Sequence, residues 1–178
     1  MAAPPEALVR TVRLIDTVVG EWSGRLFAWL IIPLVGALVY EVFARYMFNA
    51  PTIWAYDVTY MLFGTHFMLG AAYTLAKGGH IRTDFFFSNW SLQTQGRIDA
   101  LGYLVFFFPG IFFFLWAGWE EALHSWQILE KSSASPWQPP MYPFKTVVPL
   151  TAAMLLIQGL SEFIKSAWQA LHGEPLIP

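Results

Sequence analysis

The chain contains no cysteine, and only 12% of its residues are charged. The first absence excludes disulfides, thiolate metal sites and cysteine nucleophiles. The second excludes an ordinary soluble surface, because soluble domains carry about 25% charged residues. An excess of one sign is also missing: ten basic residues stand against twelve acidic ones, and a net charge of −2 leaves no footprint for nucleic acid. No nucleophile–base pair, phosphate loop or nucleotide motif occurs along the chain. A cleavable leader is not expected either, since Glu6 precedes the first apolar run and no small-residue cleavage site follows it.

What the sequence has in quantity is apolar surface. Hydrophobic residues make up 56% of the chain and aromatics 18%. Apolar runs of about 20 residues recur, the length that crosses a hydrocarbon core roughly 30 Å thick. These features predict a single all-α domain over residues 1–178, an integral membrane protein with four transmembrane helices at about residues 26–48, 55–77, 98–119 and 146–168. Residues 1–25 form an N-terminal amphipathic segment. Leu8, Val12, Ile15, Val19 and Trp22 share one helical face, and Arg10, Arg13 and Asp16 lie on the other. That segment reads either as an interfacial helix or as an extension of the first span.

Proline and polar residues punctuate the spans. Pro33 should kink the first, and Asn49-Ala50-Pro51 should end it in a tight turn. Residues 78–97 read as an interfacial segment between the second and third spans, with Ser91 as the N-cap of the helix that starts near Leu92. A helix over residues 92–130 would be about 58 Å long at about 1.5 Å per residue, so its acidic end should leave the bilayer. The Pro- and Ser-rich residues 131–145 should form a loop lying on the membrane surface or on a partner. Of the ten Lys and Arg residues, seven fall on the N-terminal side of the membrane and three on the other, which predicts both termini inside.

Ionisable residues in or beside the spans are the candidates for chemistry, since each is costly in lipid. Glu41 and Arg45 are four apart and share a helix face. With Asp57 they could form a network that pins the Pro51 turn. Alternatively, Glu41 could carry a proton in a small four-helix exporter. His66 lies near the middle of its span without a second histidine at matching depth, so neither haem nor metal is expected and the cofactor expectation is none. A haem or quinone anchor is the third class considered. Gly78-Gly79-His80-Ile81-Arg82-Thr83-Asp84 reads as a helix terminus in which Arg82 could meet phospholipid phosphates, Asp84 or a carboxylate on another subunit.

In order along the chain stand Glu41-Val42, Arg45-Tyr46, Phe48, Pro51, Trp54, Asp57, Gly70-Ala71, His80-Ile81-Arg82 and Asp84. This set resembles the signature of the small membrane subunit (small permease, DctQ-like) of the tripartite ATP-independent periplasmic (TRAP) transporters. Glu41 stands where that family often has Gln, and Asp57 where Glu is commoner. The resemblance implies a non-catalytic subunit of a sodium-coupled secondary transporter in the bacterial inner membrane. It implies two protein partners, a large TRAP permease subunit and a periplasmic substrate-binding protein that captures an organic acid, in a phospholipid setting. Glu41, Arg45, Trp54, Asp57, His80, Arg82 and Asp84 are the structural or subunit-interface candidates it marks.

Overall fold

The computed structural model of the chain describes residues 4–79, 87 and 89–177. Its elements are helices, with one isolated backbone bridge between Lys131 and Pro140 among the described residues. We number four helices. The first, α1, is Glu6–Met47; α2 covers residues 55–76; α3 is Leu92–Gln127; and α4 is Tyr142–His172. By length and composition α1, α3 and α4 can each cross a membrane, and the largely apolar α2 makes a fourth helix.

The irregularities in these helices follow from proline and glycine. In α1 the regular ladder breaks at Trp29 and Leu30, whose amides reach back only to Leu26 and Phe27. Pro33 causes this, because it has no N–H to give and its ring would meet the carbonyl four residues earlier, at Trp29. The predicted kink is therefore present and sits one turn ahead of the proline. In α3 a π-helical turn, Tyr103–Phe107, precedes Pro109 and absorbs the same defect without ending the helix. Pro149 is accommodated in the first turn of the long Val147–His172 section of α4. In α2 the pause falls at Gly70, between Ala55–Leu69 and Ala71–Ala76.

The ends are capped in the expected ways. The Ser91 hydroxyl accepts from the Thr94 amide at 3.3 Å and starts α3. Gly173, in the left-handed conformation at φ 72°, closes α4. At the far end of α1 the chain turns through Asn49, at φ 50°, and the Ala50 amide reaches back to the Ala44 carbonyl at 2.9 Å.

Packing places the helices in a row. The Ile31–Met47 part of α1 lies on α2, α2 lies on α4, and α4 lies along α3. Among the described residues α3 has no substantial packing against α1 or α2. Helix α4 lies inside this row and carries more buried positions than any other helix described, among them Thr151, Ala152, Leu155, Gln158, Gly159 and Ser161. Small residues set the spacing. A Cβ placed on Gly96 of α3 would come within 2.5 Å of the Ala170 backbone nitrogen of α4, so only glycine permits this crossing. Gly64 similarly admits the Phe144 ring. By contrast, large apolar side chains along α1 and α3, including Trp29, Phe43, Phe106, Phe113 and Trp116, are exposed.

The N-terminal segment does not end before the first span. It runs helically from Glu6 to Ala28, through a π-helical stretch at Asp16–Trp22, and continues into α1 beyond the bend. Val12 and Ile15 are buried, and this segment packs on α4 and on the end of α2.

Candidate functional site

Charged and polar side chains gather at the two ends of the helices. One end holds the α1–α2 turn and the α3–α4 loop. The other holds both chain termini.

At the turn end, Glu41 and Arg45 stand one helical turn apart near the end of α1. The Arg45 Nε donates to Glu41 Oε1 at 2.9 Å, and a terminal guanidinium nitrogen bonds the same oxygen. The second oxygen, Oε2, accepts from the Thr52 amide at 2.9 Å and from the Thr52 hydroxyl. The Thr52 hydroxyl in turn accepts from the Ala55 amide at 3.3 Å, at the start of α2. One carboxylate thus ties the end of α1 to the beginning of α2 across the Pro51 turn. Trp54 closes the same corner by stacking on Tyr40, with ring centroids 5.7 Å apart. Both Glu41 oxygens are occupied, an arrangement suited to an anchor rather than to a group that cycles a proton.

Asp57 belongs to a different set of contacts. The expectation of a Glu41–Arg45–Asp57 network is corrected here: Asp57 is only 2% exposed and faces the α3–α4 loop. Its Oδ1 accepts from the Ser132 hydroxyl at 2.7 Å, and its Oδ2 accepts from the Ser135 hydroxyl. The loop is shaped for this. The Ser132 amide donates to the Pro139 carbonyl at 2.8 Å and the Met141 amide to the Glu130 carbonyl at 2.8 Å, folding the loop into a narrow strap. The segment predicted to lie on the membrane or a partner instead covers the start of α2 of its own chain. The physical reason is a buried carboxylate that needs donors.

Lys145 fastens the base of the strap. Its ammonium lies 2.6 Å from Glu121 and 2.6 Å from Glu130. The Glu130 carboxyl is held below its ordinary value of 4.5, mainly by that ammonium. Trp126 reinforces the same corner, donating to the Thr146 hydroxyl at 2.9 Å.

At the terminal end the structure assembles a cluster that the sequence reading missed. Asp16, expected on the polar face of the N-terminal segment, turns instead toward α4. Its Oδ1 accepts from Gln158 at 2.8 Å and from the Ser161 hydroxyl at 2.7 Å, and its Oδ2 lies 2.7 Å from the Lys165 ammonium. Lys165 also meets Glu162 at 2.7 Å. The signal for this was available in α4. Gln158, Ser161, Glu162 and Lys165 recur at helical spacing in an otherwise apolar helix, which marks a polar stripe that must find a partner. A second pair, Lys77 with Glu21 at 2.8 Å, joins the end of α2 to α1 nearby.

Between these ends polar groups are few. The His66 Nδ1 lies 3.0 Å from the Phe27 carbonyl, at the bend that Pro33 imposes on α1. His66 therefore bridges the two helices. Of the candidate residues, the structure brings Glu41, Arg45 and Trp54 together at the α1–α2 turn and sets Asp57 beneath the strap. His80, Arg82 and Asp84 lie outside the described residues.

The family model for the DctQ component of tripartite ATP-independent periplasmic transporters matches residues 34–168. The chain belongs to the DctQ family. No individually curated protein matches it. Membership makes the chain a small membrane component of a three-part transport system, in agreement with its membrane-length helices. The match begins just past the Pro33 bend, so this DctQ component's α1–α2 turn, strap and most of α4 lie within it. Asp16, which clasps Lys165, falls before it.

Proposed function

We propose that this DctQ component is the fixed, non-catalytic scaffold of a sodium-coupled secondary transporter that imports an organic acid or related solute. It braces the large permease subunit in the bacterial inner membrane and helps dock the periplasmic substrate-binding protein. Both termini face the cytoplasm, following the seven-to-three distribution of basic residues. The turn end, with Glu41, Arg45, Trp54 and Asp57, then faces the periplasm.

One observation supports this reading above the others. The charged groups described at each end are paired within the chain, while broad apolar sides of α1 and α3 stay exposed. Such a chain has these charges committed to holding itself together and its apolar surface free to meet lipid or another membrane subunit. His80, Arg82 and Asp84, at the cytoplasmic corner after α2, are proposed as further subunit-interface positions.

The experiment is affinity purification of the tagged chain from native membranes, followed by reconstitution. A large permease should co-purify, and solute uptake should require that permease, the binding protein and a sodium gradient. Transport by the chain alone, abolished by Glu41→Gln, would overturn the proposal and establish a proton-coupled exporter.

A further inference from the structure

A groove of about 810 Å³ runs between α1 and α2, toward the terminal end of the helices, and neither the polar clasps nor the proposed bracing role uses it. Its walls include Gly24, Phe27 and Ala28 from α1 and His66, Phe67 and Ala71 from α2. The volume falls in the roughly 300–1,000 Å³ range of sites that enclose a small molecule. The walls are almost wholly apolar and belong to the membrane-length α1 and the largely apolar α2, so an occupant is apolar along most of its length.

One mouth of the groove is different. His66, Gly70, Tyr73 and Lys77 follow one another at spacings of four, three and four residues, so Lys77 stands on the α2 face that lines the groove. Glu21 of α1 reaches Lys77 at 2.8 Å and Arg25 at 3.7 Å. Two cations around one carboxylate leave the mouth with a net positive charge. Both cations keep access to the surroundings, since the Lys77 and Arg25 side chains are 49% and 68% exposed.

An apolar trough at bilayer depth that ends on a net positive mouth matches one kind of ligand. The geometry points to a bound glycerophospholipid, with one acyl chain lying along Phe27, Ala28 and Phe67 and its phosphate on Lys77 and Arg25. A transmembrane helix of another subunit could fill the trough but would leave the second of the two cations, beyond the one Glu21 balances, without an anion. The phosphodiester supplies that anion at the right depth, and a phospholipid joins both halves in one molecule. The inference needs only membrane insertion, and stands whether or not the chain braces a permease.

The test counts phospholipid by mass spectrometry in the full-length chain after extensive washing in mild detergent. Ala28→Trp fills the trough from an exposed position, Phe67→Ala removes an exposed wall, and Arg25→Gln with Lys77→Gln neutralises the mouth. Leu38→Trp, exposed elsewhere on α1, is the control. The wild-type chain and the control should each retain about one phospholipid, and each of the other proteins at least about fivefold less. The proposal is overturned by equal retention in all of these proteins, by no retained lipid in the wild type, or by an Ala28→Cys chain that cross-links to another polypeptide at the groove. Failure of the scaffold reading would show instead as transport without a permease, with lipid retention unchanged.

Discussion

Asp16 and Lys165, near opposite ends of the chain, meet at 2.7 Å where the N-terminal part of α1 crosses α4. Lys165 is shared with Glu162, so the two carboxylates depend on one ammonium. Removing Lys165 leaves two like charges facing each other. Removing the Asp16 charge leaves Lys165 still paired. Lys165→Met should therefore lower unfolding stability more than Asp16→Asn, by about 1–3 kcal/mol against about 1 kcal/mol or less for this partly exposed pair. Thermal unfolding in one detergent compares the two; a reversed order would show that the cluster is not held together by Lys165.

The strap over Asp57 gives a proteolytic prediction. Lys131 immediately precedes Ser132, so trypsin can report on whether the strap is closed. Asp57→Ala removes both acceptors of the Ser132 and Ser135 hydroxyls, and cleavage after Lys131 should accelerate several-fold, with a stability loss of about 1–3 kcal/mol. Ser132→Ala combined with Ser135→Ala should reproduce the opening, because it strips the same carboxylate of its donors. Unchanged cleavage in both variants would show that the loop is held by something other than these bonds.

The strap also shows what could be read in the chain and what could not. Local relationships were legible. Pro33 gave the bend in α1, Ser91 the cap of α3, and the four-residue spacing of Glu41 and Arg45 their ion pair. Each depends on residues within a turn or two of one another. The Asp57–Ser132 bond spans 75 positions and leaves no periodic trace. Asp16 was misplaced for a related reason. It lies four residues after Val12, close to the apolar face, and the π-helical stretch beginning there departs from the 3.6-residue period used to draw that face. The polar stripe on α4 was visible, yet its partner could be found only in three dimensions.

Glycine positions divide into two kinds, and substitution should separate them. Gly96→Ala would press a methyl group into the α4 backbone, which cannot rotate away, and should cost about 1–3 kcal/mol. Gly110, also in α3, has nothing within 4 Å of the place a methyl group would take. Gly110→Ala should be neutral or stabilising by up to about 1 kcal/mol through helix propensity alone. Unfolding midpoints of the two variants against the parent chain decide the matter.

Glu130 makes the turn end sensitive to acid. Its carboxyl titrates below the ordinary 4.5 in the folded chain, mainly because of Lys145. A group whose folded value is depressed contributes stability above its unfolded pKa and loses it as pH falls through the folded value. Thermal stability should therefore drop below pH 4.5 more steeply in the parent chain than in Glu130→Gln. Identical slopes would mean that the Lys145 contact does not persist in the protein in solution.

The row order of the helices has a consequence for handling the protein. A helix row has little interior, and only the two middle helices, α2 and α4, are flanked on both sides by their own chain. For α1 and α3 the surroundings supply much of the packing that a closed bundle would supply from within. The choice of surfactant is therefore a structural variable. Replacing lipid by detergent changes the material pressed against most of the side chains, which is closer to repacking a core than to changing a buffer.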